Sequence, residues 1–148
     1  MKRIVRLAIS EGDLNRIRRH GRDAYPYECC GALIGRDDED GRVVKEILEL
    51  PNTSSEGRER RFLVRPDDYR MADARARERS ADVVGFYHSH PDHPARPSPY
   101  DLEHAWPWLS YVILSVQRRE PADLASWRLR DDRSAFDVEE IIAVPSDE

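Results

Sequence analysis

The sequence predicts an α/β (α+β) domain built on a mixed β-sheet with helices packed against it. Strand-like and helix-like segments follow one another in the order strand, helix, strands, helix, strand, helix, strands. That order is typical of a layered architecture of sheet and helices. The chain has 148 residues and shows neither an internal repeat nor a linker, so we expect a single domain over residues 1–148, large enough to bury a core.

The first third of the chain predicts a strand, a capped helix and a hairpin. Residues 5–9 alternate apolar and polar side chains, which indicates a strand. Ser10 and Asp13 form a pair that is similar to a capping box at the start of a helix. Apolar runs at 29–34 and 43–50 flank a cluster of turn residues, so we expect them to pair as two strands.

The middle of the chain predicts a second helix and a central strand. Residues 52–60 are polar and indicate a loop, and residues 62–64 indicate a short strand. Pro66 suits the first turn of a helix. Residues 83–90 are apolar on both faces, as in a central strand. The inward stripe of the helix is predicted to consist of Tyr69, Ala72 and Ala76.

The last third predicts one irregular segment, one short helix and further strands. Three prolines between residues 91 and 97 exclude regular structure there. Residues 98–106 suit a short helix that Pro107 ends. Strands are predicted at 111–116, at 124–129 and, with a short helix as the alternative, at 136–144.

Composition and charge exclude several functional classes. A net charge of −5 argues against nucleic acid as the main partner, because such domains usually carry a basic face. The chain has no apolar run long enough to span a membrane, and Met1–Val5 does not resemble a signal peptide, so we expect a cytoplasmic protein. Cys29 and Cys30 are adjacent and are expected to be reduced, buried thiols.

The most informative motif is His88-Ser89-His90, followed after ten residues by Asp101. Two histidines two positions apart in a strand project from the same face. A carboxylate in the first turn of the next helix can close on them. Three protein ligands with a fourth position left for water are typical of a catalytic zinc site. The motif therefore predicts Zn²⁺-assisted hydrolysis. The alternative is that the His-x-His pair lies on a strand and binds no metal.

Two alternatives concern the neighbouring residues. Ser98 at the N-cap and Asp101 at the third helical position also suit a capping box, which alone would explain their spacing. His93, in the proline-rich segment, and His104, in the helix, are competing imidazoles. For both we expect a surface position or a supporting role outside the ligand set.

Three segments together resemble the JAMM (MPN-plus, JAB-domain) metalloprotease family. They read Glu28-Cys-Cys-Gly-Ala-Leu-Ile-Gly35, Gly85-Phe-Tyr-His-Ser-His-Pro91 and Pro97-Ser-Pro-Tyr-Asp101. The order and the spacing of these segments match the family pattern, and the length is similar to its small, stand-alone bacterial type. The resemblance implies a cytidine-deaminase-like JAMM/MPN fold, in which a curved mixed sheet is flanked by helices.

The resemblance also implies a function and a role for each motif residue. Family members hydrolyse the (iso)peptide bond after the C-terminal Gly-Gly tail of a ubiquitin-like protein, and small bacterial forms resemble enzymes that trim sulfur-carrier proteins. His88, His90 and Asp101 would bind Zn²⁺, and Glu28 would act as general base. Ser98 would donate a hydrogen bond to the oxyanion. Trp106 and Trp108 suit either a wall of the site or the core.

Two other functions are left open by the sequence. The domain is alternatively a non-catalytic MPN module that binds a partner protein, or a related hydrolase that acts on a small molecule or on DNA-linked chemistry. Neither the carrier protein nor the oligomeric state can be inferred from the residues.

Overall fold

The structure, a computed structural model, describes residues 6–51 and 65–146. The predicted loop at 52–60 and the predicted strand at 62–64 lie outside them. The described elements, in chain order, are β1 (Arg6–Ser10), α1 (Glu11–Ala24), β2 (Cys30–Asp38), β3 (Gly41–Leu50), α2 (Pro66–Glu78), β4 (Asp82–Pro91), α3 (Pro99–His104), β5 (Ser110–Gln117), β6 (Glu120–Leu129) and β7 (Phe136–Val144).

The seven strands form one curved mixed sheet, as predicted, and the sheet closes on itself. Their order is β1-β3-β2-β4-β5-β6-β7, and β7 pairs in parallel with β1 to close the barrel. The β4–β5 and β1–β3 pairs are also parallel, whereas the remaining neighbours are antiparallel. The predicted hairpin of β2 and β3 is confirmed.

Alternation along β2 and β4 divides the core into two clusters. Leu33 and Tyr87 belong to the cluster that packs against α1. Ala32 and Phe86, each one residue earlier, belong to the cluster on the α2 side. Side chains at alternate positions of a strand point to opposite faces, so β4 is covered on both sides. The face of Phe86 is also the face of the two histidines that follow it.

Helix α1 begins as predicted, and α2 differs from its prediction at one position. Ser10 is the N-cap of α1, and its hydroxyl accepts a hydrogen bond from the N–H of Asp13. In α2, Ala72 and Ala76 are fully buried, but Tyr69 is 41% exposed, so its predicted burial is wrong. Its ring lies 6.0 Å from the ring of Phe86 and borders a cavity rather than the core.

β7 is a strand, although the sequence also allowed a short helix at 136–144. The adjacent acidic residues Glu139 and Glu140 explain that ambiguity. Glu139 points into the barrel and is 1% exposed, whereas Glu140 on the opposite face is exposed. The Glu139 carboxylate accepts a hydrogen bond from the hydroxyl of Ser126 and pairs with Arg128. A buried carboxylate is tolerated where such partners satisfy it. Among the described residues, no helix is both long and apolar enough to cross a membrane.

Candidate metal centre

The carboxyl end of β4 places two imidazoles on one face of the sheet. His88 and His90 are 2% and 9% exposed. Because they are two residues apart in a strand, their side chains leave it on the same side. Their Nε2 atoms lie 3.1 Å apart. Two imidazole nitrogens therefore meet at the end of the strand.

Asp101 completes a triangle with these two nitrogens. Its Oδ1 lies 3.3 Å from His88 Nε2, and its Oδ2 lies 3.2 Å from His90 Nε2. The predicted capping box at the start of α3 is also present: Ser98 Oγ accepts from the N–H of Asp101, and Asp101 Oδ2 accepts from the N–H of Ser98. Capping and ligation are thus compatible, since the cap holds the carboxylate against the imidazoles.

The dimensions of the triangle suit a tetrahedral metal ion. Two ligands that each lie about 2.0–2.1 Å from a tetrahedral zinc are about 3.3–3.4 Å apart. The two imidazole nitrogens lie 3.1 Å apart, close to this value, and each lies within 3.3 Å of a different oxygen of the Asp101 carboxylate. One ligand atom from each residue falls within 4.8 Å of the other two, so an ion fits after a small movement of the donors. Within residues 6–51 and 65–146, His88, His90 and Asp101 form the one group of ligand-type side chains close enough to share an ion.

Hydrogen bonds set the protonation of two of these groups. His90 Nδ1 lies 2.9 Å from the carbonyl of Pro94, which can only accept, so Nδ1 donates its proton there and Nε2 is the nitrogen left to bind a metal. Burial disfavours the ionised form of Asp101. The charge of His88, together with hydrogen bonds from the His88 imidazole and from the N–H of Ser98, nevertheless holds its pKa well below the usual range.

Glu28 lies beside the triangle, in the segment just before β2. The hydroxyl of Ser89 accepts the N–H of Cys29 at 2.8 Å, and the N–H of Ser89 donates to the carbonyl of Cys29 at 3.1 Å. These two bonds fix the backbone next to Glu28 against β4. Glu28 is 4% exposed, and burial, with a smaller contribution from the negative charge of Asp101, raises the pKa of its carboxyl to about 9.

Two cavities border the triangle through different members. The smaller, of about 250 Å³, is shared by Glu28, His90 and Ser98. The larger, of about 310 Å³, borders on His88 and Asp101. Its remaining walls are mostly aromatic and include Tyr69, Phe86, Tyr100, Trp106 and Tyr111.

Trp106 and Trp108 lie outside the core. Their sequence positions had suited either a wall of the site or the core. Trp106 is 53% exposed and Trp108 is 61% exposed, and their rings lie 5.6 Å apart. Trp106 forms part of the wall of the aromatic cavity, and Trp108 does not border it. The core-packing interpretation is therefore wrong for both.

The competing imidazoles do not join the triangle. His104 Nδ1 lies 2.9 Å from the carbonyl of Tyr100, and the two rings stack at 4.0 Å. His93 borders the smaller cavity. Ser89 and the Pro94 carbonyl were not identified from the sequence. The position of Ser89 between two ligands is a usable signal, whereas no residue type marks a carbonyl as a histidine partner.

Comparisons with known proteins agree with the motifs and the fold. Residues 10–130 match the family described as prokaryotic homologs of the JAB domain. Desampylase of Haloferax volcanii is 34% identical over 122 residues, which cover 79% of this chain and 86% of that protein. A solved protein of Desulfitobacterium hafniense has a TM-score of 0.82 and 32% identity over 95% of this chain and 94% of its own. A JAB1/MPN domain protein of Archaeoglobus fulgidus shares the fold at a TM-score of 0.57 and 21% identity, over 91% and 98% of the two chains.

Proposed function

The chain belongs to the family of prokaryotic homologs of the JAB domain, and we propose that it is a zinc metallopeptidase of the JAMM type. The proposed reaction is hydrolysis of the (iso)peptide bond after the C-terminal Gly-Gly tail of a ubiquitin-like or sulfur-carrier protein. The observation that carries this proposal is the triangle of His88, His90 and Asp101. The relative named desampylase supports a ubiquitin-like protein as the substrate class.

The three members of the triangle are proposed to hold Zn²⁺. A zinc ion bound there supplies a Lewis acid and makes water nucleophilic near neutral pH. The protein contributes donors that are already oriented, since the Pro94 carbonyl fixes the tautomer of His90 and the cap of α3 holds Asp101. An ionised carboxylate and neutral imidazoles are the ligand forms that a metal requires.

Glu28 is proposed to act as the general base. In this role it accepts a proton from the attacking water and passes it to the leaving amine. Protein groups alone raise its pKa to about 9, and a cation held by the neighbouring triangle favours the ionised form. Its burial beside His90 and Ser98, in the smaller cavity, supports this assignment.

Ser98 is proposed to stabilise the oxyanion. Its oxygen accepts the N–H of Asp101, and its own hydroxyl proton can be donated toward the smaller cavity, which it borders. Loss of one such donor typically lowers the rate by about 10²–10³-fold. The aromatic cavity on the side of His88 is proposed to bind substrate residues that flank the cut bond, because ligand pockets are typically lined by apolar and aromatic side chains with a few polar groups.

The test is cleavage of a ubiquitin-fold carrier protein that carries a short extension after its Gly-Gly tail, followed by mass spectrometry. We expect a cut after the second glycine that is lost on chelation and restored by zinc. A carrier with Ala-Ala in place of Gly-Gly is the matched control and should resist. Binding of the carrier without cleavage by zinc-loaded protein would instead favour the non-catalytic interaction module.

A further inference from the structure

Three successive carbonyls follow the second histidine, and each accepts a hydrogen bond from a side chain elsewhere in the fold. The middle carbonyl is the one that orients His90, and its two neighbours are held by side chains of β5 and β6. The pairs are His93 O with Ser115 Oγ at 2.6 Å, Pro94 O with His90 Nδ1 at 2.9 Å, and Ala95 O with Trp127 Nε1 at 3.0 Å.

The two outer donors are well placed to fix this segment. Ser115 is buried and is the register partner of His90 in the parallel β4–β5 pair. Gln117 Nε2 donates to Ser115 Oγ at 2.7 Å, which leaves the serine proton for the carbonyl of His93. Trp127 is a partly buried residue of β6 whose indole N–H reaches the carbonyl of Ala95.

Pro94 has one backbone group fewer than its neighbours with which to hold its position. Proline has no N–H, so this residue cannot be anchored through its own backbone donor. The direction of its C=O therefore depends on the residues on either side. Those are the residues whose carbonyls Ser115 and Trp127 hold.

We propose that Ser115 and Trp127 are positioning residues of the metal centre. By holding the carbonyls of His93 and Ala95, they keep the Pro94 carbonyl on Nδ1 of His90, which aims Nε2 of His90 at the triangle. This inference rests on the proposed metal site and deepens it. Loss of outer partners of a metal-binding histidine typically weakens metal affinity by about 10–100-fold.

The experiment measures zinc affinity by competition with a chromophoric chelator. Ser115→Ala and Trp127→Phe each remove one donor, and we expect about 10-fold weaker zinc binding in both. Ser115→Thr keeps the hydroxyl and should retain most of the affinity. Ser126→Ala is the matched control, because it removes a buried hydroxyl whose partner is Glu139 and should leave zinc affinity unchanged.

A second measurement needs no metal. In chelator-treated protein labelled with ¹⁵N, the wild type should show a slowly exchanging proton on Nδ1 of His90. That proton should exchange faster in both variants and remain protected in Ser126→Ala. Trp127→Phe keeps an aromatic ring in place and serves if Ser115→Ala does not fold.

The outcomes separate the two ideas. A wild type that binds zinc, with equal affinity and equal protection of the His90 proton in both variants, would overturn the positioning role alone. A wild type that fails to bind zinc would overturn the metal site and, with it, this role.

Discussion

Ser89 holds Cys29 by two hydrogen bonds, and this pairing brings Glu28 next to the group of His88, His90 and Asp101. The hydroxyl of Ser89 accepts the N–H of Cys29, and the N–H of Ser89 donates to the Cys29 carbonyl. Because side chains alternate along a strand, a serine between two ligands faces away from them. One tripeptide therefore supplies two proposed metal ligands on one face and an anchor for the proposed base on the other.

The first prediction concerns this anchor. Ser89→Ala leaves the buried N–H of Cys29 without its acceptor, which typically costs about 1–3 kcal/mol in the free energy of unfolding. Denaturant titration measures the loss. We also expect peptidase activity to fall more than zinc affinity, because the change displaces Glu28 rather than a ligand. Equal losses in both properties would contradict this assignment.

The second prediction separates the base from the ligands. Glu28→Gln keeps the shape of the side chain but cannot accept a proton, so zinc content should be unchanged and turnover should fall by about 10²-fold or more. Zinc is measured by elemental analysis and turnover by cleavage of the carrier fusion. Glu49→Gln is the control, since Glu49 is half exposed and pairs with His20. Full activity in Glu28→Gln would remove Glu28 from its proposed role.

The third prediction tests the ligand set. His88→Ala removes one donor of the triangle and should abolish tight zinc binding. Asp101→Asn keeps an oxygen that can accept the N–H of Ser98, so α3 stays capped while the negative charge is lost and zinc affinity falls. His104→Ala, on the same short helix, should bind zinc as the wild type does. Stoichiometric tight binding in His88→Ala would show that other residues hold the ion.

The fourth prediction concerns the aromatic cavity. Trp106→Ala removes part of its wall and should raise KM for the carrier by about 5–30-fold, which corresponds to roughly 1–2 kcal/mol. We expect kcat and zinc content to change little. Trp108→Ala is the matched control, because this exposed ring lies next to Trp106 but does not border the cavity. Equal effects of the two changes would mean that the cavity does not bind the substrate.

The fifth prediction uses the reactivity of Cys29 and Cys30 to test whether both thiols are buried in the folded protein. Burial raises the pKa of Cys29 to about 12 and also raises the pKa of Cys30. At pH 8 both cysteines remain protonated. A protonated thiol reacts poorly with alkylating reagents, because the thiolate is the nucleophile. Iodoacetamide should therefore modify neither cysteine in the folded protein and both after unfolding, as mass spectrometry can show. Rapid modification of the folded protein would contradict their burial.

Local sequence patterns predicted most of the helices and strands, but they could not predict which distant strands pair with each other. The periodicity of residues 5–9 and 83–90 predicted β1 and β4, because alternation and apolar runs reflect how a strand is buried. The burial of Tyr69 was mispredicted, since a helical stripe does not distinguish a core from the wall of a cavity. The pairing of β7 with β1 could not be predicted, because no local signal relates the first and last strands.

The same division holds at the site. The three proposed ligands were found from their spacing and chemistry, and the structure brings them together. The role of the Pro94 carbonyl could not be predicted from the sequence. Every residue has a backbone acceptor, and only the fold decides which of them meets His90.

The parallel pairing of β1 with β7 has a consequence for biosynthesis. Ser10 is in register with Val144, so the barrel cannot close until the residues up to about position 144 have left the ribosome. Until then, the edge of β1 that pairs with β7 stays unpaired. Contacts between residues so far apart in sequence form late and slowly. A stop codon a few residues before position 144 would be expected to yield an unclosed, aggregation-prone chain even though every residue of the metal centre had been made.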